Sequence, residues 1–94
     1  MMFYTYILIS KKDNKFYVGY TEDLKRRIEQ HNNGKVKSTQ HRRPLELIYY
    51  EACLNQKDAI HREKYLKTNF GKKYIRNRLN TYLAVLALYN VLTI

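Results

Sequence analysis

The sequence predicts an α+β domain with its elements in the order β-β-α-β-α-α. Three observations carry this prediction. Two short runs rich in aromatic and β-branched residues, 3–9 and 16–20, flank the polar stretch Ser10-Lys11-Lys12-Asp13-Asn14-Lys15, which is the pattern of a β-hairpin. A segment with apolar residues at helical spacing follows Thr21 and stops at Asn33-Gly34, a fair N-cap and a strong C-terminal signal. Beyond Pro44 a third apolar run, Leu45 to Ala52, precedes another helical segment that Asn55 opens and Gly71 stops.

In the first strand, alternation puts Tyr4, Tyr6 and Leu8 on one face and Phe3, Thr5, Ile7 and Ile9 on the other. In the second, Phe16, Val18 and Tyr20 alternate with Tyr17 and Gly19, so Tyr6 and Tyr17 are candidates for a shared face. Gly19 weakens a strand unless something must approach its backbone closely. Glu22 and Asp23 complement the dipole of the helix that follows. Residues 34–43 form a loop that holds Lys35, Lys37, Arg42 and Arg43 and no acid. A third helix is predicted to begin near Lys72 and to run into the apolar stretch Tyr82–Ile94, which is shorter than the ~20 residues of a bilayer span.

The 94 residues suffice for one modest core. A net charge of +10 points to a polyanionic partner, nucleic acid before an anionic membrane surface. Cys53 is the sole cysteine, which excludes an intramolecular disulfide and a cysteine-based metal cluster and agrees with a reducing, cytoplasmic setting. The apolar start, Met1 to Ile9, lacks a basic leader and a small-residue cleavage site, so it reads as a strand.

Helical phase sorts the basic residues of the first helix. At ~100° per residue, Leu24 and Ile28 define the buried side, His31 falls between them, and Arg27 flanks the stripe while Arg26 points to solvent. Spacing alone leaves open whether Arg27 and His31 are functional or packing residues. In the second helix Ala59, Leu66 and Phe70 form an apolar stripe with Glu63 inside it. A carboxylate there must find a partner: an arginine, or a divalent cation such as magnesium, often held by one carboxylate and several waters. The 10 tyrosines are mostly packing or base-stacking residues. One could act as a base if a guanidinium and a metal favoured its phenolate.

Tyr6-Ile7, Tyr17-Val18-Gly19, Arg27, His31-Asn32, Arg43-Pro44-Leu45 and Ala59 with Arg62-Glu63-Lys64 together resemble the GIY-YIG nuclease domain, in its small stand-alone bacterial form. The resemblance covers roughly residues 3–79. Thr5 and Val18 depart from the residues of the family name; neither side chain does chemistry. The resemblance implies a three-stranded antiparallel sheet flanked by helices, over a domain of residues 1–80. It also implies hydrolysis of phosphodiester bonds in DNA, more than RNA, with one divalent metal, Mg²⁺ or Mn²⁺. Under it Tyr6 matches the general base, Tyr17 the tyrosine that orients the base or the nucleophile, and Arg27 the residue that stabilises charge on the phosphate. His31 matches a proton-relay or phosphate-contact position, and Glu63 the metal ligand. Lys35, Lys37, Arg42 and Arg43 are the candidate nucleic-acid contacts. With no room for a separate recognition domain, action is expected to be structure-selective or weakly sequence-specific, in DNA repair or recombination. The alternative is a non-catalytic nucleic-acid-binding module. The tail, 81–94, is expected to pack on the same domain or to make an oligomer contact, giving a monomer or a homodimer.

Overall fold

The structure, a computed structural model, describes residues Met1 to Leu92; the last two residues of the predicted tail, 93 and 94, lie outside the described residues. The elements are β1 (Phe3–Ser10), β2 (Phe16–Thr21), α1 (Leu24–Asn32), β3 (Leu45–Cys53), α2 (Gln56–Leu66), α3 (Asn69–Arg78) and α4 (Asn80–Leu92), with a short 3-10 turn at Gln40–Arg42. The fold class is α+β and the order β-β-α-β-α-α-α, one helix more than predicted. The chain divides into two compact units, one of residues 1–64 and one that begins at Tyr65.

The first unit is built around β1. Both neighbours pair with it antiparallel, in the order β2-β1-β3, so its residues from Thr5 to Ser10 are all buried. On one face Tyr6, Leu8 and Leu45 form a core cluster, and Tyr17, Leu24, Ile28 and Leu47 pack against it. The apolar stripe of α1 therefore seats on this face, as its helical phase predicts. On the opposite face the Thr5 hydroxyl donates to the carbonyl of Ala59 in α2 (2.8 Å), and Arg62 of α2 pairs with Glu51 of β3 (3.0 Å). Pairing with β3 slips between Ile7 and Leu8, which face Tyr49 and Leu47 and leave Ile48 as the extra residue of a bulge.

The hairpin turn is stapled from outside. Ser10 Oγ accepts from the backbone of Lys12 and Asp13 and donates to the Arg42 carbonyl. The Arg42 guanidinium in turn holds Asp13 Oδ2 (3.1 Å) and the Lys15 carbonyl (3.1 Å). Asn14 adopts a positive φ of 59°, a conformation asparagine tolerates better than most residues. Asn32 ties the end of α1 to the start of β3: its amide donates to the Leu45 carbonyl and accepts the Leu45 N–H, both at 2.9 Å.

Helix boundaries depart from the predictions in three places. Asp23, not Thr21, caps α1, its carboxylate accepting the Arg26 N–H at 3.1 Å; Thr21 ends β2. Asn55 does cap α2, accepting from the Lys57 N–H at 2.9 Å, but α2 ends at Leu66 rather than at Gly71. Thr68 caps a new helix by accepting the Gly71 N–H (3.1 Å), so Phe70 lies on α3 and is exposed, not on the stripe of α2. Gly71 is needed for close approach: a Cβ there would overlap the Tyr65 carbonyl and the Leu66 Cα. Leu79 then caps α3, and the predicted single last helix becomes α3 and α4.

Candidate active site

The register of β1 and β2 sets Tyr6 opposite Gly19 and Leu8 opposite Tyr17. Directly opposed residues point to the same face, so the two tyrosines share the face that α1 covers. Tyr6 lies across Gly19, where a Cβ would overlap the ring Cζ and the hydroxyl. The glycine is the floor that lets the phenol lie flat and inward. Tyr6 is fully buried, and its ring centroid is 6.4 Å from that of half-buried Tyr17.

α1 supplies the other wall. His31 is fully buried and meets both tyrosine rings edge-on, at centroid distances of 5.7 Å to Tyr6 and 5.1 Å to Tyr17. Its Nε2 is 2.8 Å from the Tyr6 hydroxyl and its Nδ1 is 2.7 Å from Thr39 Oγ1. Arg27, one turn before His31, donates from Nη1 to Gln30 Oε1 (3.1 Å). Arg27 and Gln30 line an open cleft with Tyr20, Thr21, Arg26 and Gln56, so the guanidinium borders solvent while His31 does not.

Burial pushes the Tyr6 phenol up to about 12, although a hydrogen bond from Arg27 and its charge pull it down; the charges of Tyr17 and Glu63 add to the rise. His31 is pushed down to about 4, by burial first and then by the charge of Arg27. At neutral pH the centre therefore holds a protonated phenol against a neutral imidazole. Glu63 is half-buried on α2 and acts on Tyr6 electrostatically.

Among the described residues no group of three or more His, Cys, Asp or Glu side chains is placed to hold a metal ion. One carboxylate by itself does not suit zinc, which takes three or four protein ligands. It does suit magnesium, which keeps several waters and binds through one or two carboxylates plus substrate phosphate. Of the two, the chemistry of a single carboxylate such as Glu63 is that of a hard divalent cation.

Four of the five predicted centre residues, Tyr6, Tyr17, Arg27 and His31, lie together, and Glu63 is within electrostatic reach. The predicted nucleic-acid contacts divide. Lys35 and Lys37 are exposed. Arg42 is committed to Asp13 and the hairpin backbone, and Arg43 donates from Nε to the Gln40 carbonyl (2.8 Å). Sequence reasoning missed Thr39 and Gln30. Gln30 had a signal, since it lies one helical turn from Arg27; Thr39 had none, because a loop has no period.

The fold is that of a small α+β domain, and the family comparison agrees with it. The GIY-YIG catalytic domain matches residues 2–80, and the chain belongs to that family, which points to nuclease activity in general. It is similar to UPF0213 protein YazA of Bacillus subtilis, 40% identical over 84 residues that cover 85% of each chain. A UPF0213 protein of Pediococcus acidilactici, from the ldhD 5′ region, is 41% identical over 81 residues, covering 80% of this chain and 82% of the relative. Among solved structures, the solution NMR structure of the UPF0213 protein BH0048 from Bacillus halodurans matches with a TM-score of 0.52 at 35% identity, covering 82% of this chain and 84% of that one. No helix among the described residues is long and apolar enough to cross a membrane.

Proposed function

We propose that this chain is a divalent-metal-dependent DNA endonuclease, structure-selective or weakly sequence-specific, working in the cytoplasm in DNA repair or recombination. The observation that carries the reading is the buried Tyr6 hydroxyl, 2.8 Å from His31 Nε2, with the Arg27 guanidinium near enough to favour its phenolate. Tyr6 takes a proton from the attacking water, and Tyr17 and His31 fix its ring. As the water oxygen bonds to phosphorus, the bond to the leaving sugar oxygen breaks. Arg27, at the cleft, offsets the charge that builds on the phosphate oxygens. Glu63 would hold Mg²⁺ or Mn²⁺, which when bound polarises the phosphate and stabilises the leaving oxygen. Lys35 and Lys37 contact the backbone of the nucleic acid. Residues 1–80 form the nuclease domain, and the tail from residue 81 serves packing or dimer contact.

Incubation with nicked, branched and plasmid DNA, with and without Mg²⁺ or Mn²⁺, tests this. Cleavage should require the metal and fall by at least about 100-fold in Arg27→Ala and in Glu63→Gln. Undiminished cleavage in both variants defeats the assignment. A second reading, a nucleic-acid-binding module without turnover, is favoured by the raised Tyr6 phenol, which disfavours a standing base. Salt-sensitive binding with no cutting of any of these substrates would establish it instead.

A further inference from the structure

Hydrogen-bond direction through the buried centre is fixed by what each group can donate. The Tyr6 hydroxyl has one proton. Arg27 beside it is a donor only and cannot receive that proton. His31 Nε2 lies 2.8 Å from that hydroxyl, and the direction of this bond follows from the other side of the ring, where Thr39 Oγ1 donates to the Val36 carbonyl and so must accept from Nδ1. A neutral imidazole has a single N–H; with it on Nδ1, 2.7 Å from Thr39 Oγ1, Nε2 is left with the lone pair that accepts from Tyr6. Thr39 Oγ1 accepts it and sends its own proton to the Val36 carbonyl over a longer 3.4 Å.

Thr39 is held to do this. It is fully buried; its N–H donates to the Val36 carbonyl at 3.1 Å, and its carbonyl receives the Arg42 N–H at 2.8 Å. Its backbone is therefore fixed opposite His31, and burial of the branched side chain restricts the χ1 rotation that would carry the hydroxyl away. The chain also has an end. Val36 is buried and its carbonyl has no proton to pass on.

We propose that Thr39 is a positioning residue that locks His31 in the Nδ1–H tautomer, so that the bare Nε2 faces Tyr6 as a closed, one-proton reservoir rather than a wire to solvent. Its catalytic consequence rests on the nuclease reading. The attacking water gives a proton to Tyr6 Oη while the Tyr6 proton passes to Nε2; hydroxide adds to phosphorus and imidazolium forms. As the bond to the leaving oxygen breaks, that oxygen takes a proton from solvent, and after product release His31 returns its proton through Tyr6 to water. Water is consumed, one alcohol and one phosphate monoester are released, and His31 is neutral again.

The tautomer is read directly on the ¹⁵N-labelled full chain from long-range ¹H–¹⁵N correlations of His31, with no substrate present. Wild type and Thr39→Ser should show protonated Nδ1 and unprotonated Nε2, and Thr39→Val should lose that single-tautomer signature. In cleavage assays Thr39→Val should lower kcat about 10- to 100-fold with KM little changed, as for a small misplacement of a catalytic group, and Thr39→Ser should restore it. A wild-type spectrum with protonated Nε2 overturns the proposal even if Thr39→Val fails to fold. So does Thr39→Val with wild-type signature and kcat, or Thr39→Ser as impaired as Thr39→Val. If wild type cuts nothing, the nuclease reading falls, while the spectrum still decides the role of Thr39.

Discussion

Gly19→Ala tests the centre through a position that does no chemistry. Gly19 has no positive φ, so alanine fits its backbone and even gains about 0.4–1 kcal/mol by restricting the unfolded chain. The cost comes from Tyr6. The new Cβ would be 2.9 Å from the ring Cε1 and would overlap Cζ and the hydroxyl outright. Carbon contacts settle near about 3.5 Å, so the ring must retreat by on the order of 1 Å. Overpacking of this kind costs roughly 1–3 kcal/mol. Such a shift also stretches the 2.8 Å bond to His31 beyond hydrogen-bonding distance, for roughly 0.5–1.5 kcal/mol more. The expected net loss is about 0.5–4 kcal/mol, read by urea denaturation, and plasmid cleavage should fall about 100-fold from the misplaced phenol. A double-mutant cycle isolates the cause: in a Tyr6→Ala background, where the ring is gone, Gly19→Ala should cost nothing or stabilise. An equal loss in both backgrounds, or a Gly19→Ala variant of wild-type stability and activity, refutes the account of Gly19 as the floor under Tyr6.

Other perturbations separate the remaining parts. His31 titrates at about 4 in the fold and near 6.5 when unfolded, so the unfolded chain binds the extra proton between these values. Stability is therefore complete above pH 6.5 and is lost as pH falls towards 4; urea denaturation across that window should show the slope, and His31→Gln should remove it. The Tyr20 hydroxyl is buried with no hydrogen-bond partner among the described residues, so Tyr20→Phe should raise stability by about 1 kcal/mol, seen as a higher midpoint in the same denaturation. Lys35→Ala with Lys37→Ala should leave stability unchanged and reduce the salt slope of DNA binding by about two, one per lost phosphate contact, measured by anisotropy. Arg42→Ala should instead lower the melting temperature, and the Asp13 carboxyl, which Arg42 holds at about 2, should return towards the ordinary carboxylate range in an NMR titration.

What the sequence made legible was local and periodic. Period-two alternation put Tyr6 and Tyr17 on one face, and the strand register agrees. The helical period separated Arg27 from exposed Arg26 and brought His31 inward. What stayed hidden depends on residues far apart in the chain. Arg42 looks like a free cation in a basic loop, but its partner Asp13 is 29 positions away in the hairpin turn. Thr39 is eight positions from His31, across a loop with no period to read. Gly71 reads as a helix stop, yet the break is made earlier by the Thr68 cap, and the glycine serves close contact with Tyr65 and Leu66.

The burial that orders this centre also limits how Tyr6 can work. With the phenol at about 12, a standing phenolate at pH 7 costs about 7 kcal/mol, and even the ordinary value of 10 costs about 4 kcal/mol, at roughly 1.36 kcal/mol per unit. Arg27 already pulls the value down and does not overcome burial. A bound cation at Glu63 would lower it further, but a tyrosine that must first ionise spends much of that gain before any bond to phosphorus forms. Proton exchange through Tyr6 avoids the charged phenolate altogether: the oxygen gives one proton to Nε2 as it takes another from water. The charge then appears on His31, which resists it in the free protein because it is buried beside Arg27, and which gains a counter-charge as negative charge builds on the phosphate. A buried neutral histidine behind a buried protonated tyrosine is thus poorly suited to hold a proton at rest and well placed to accept one when the phosphate oxygens become more negative.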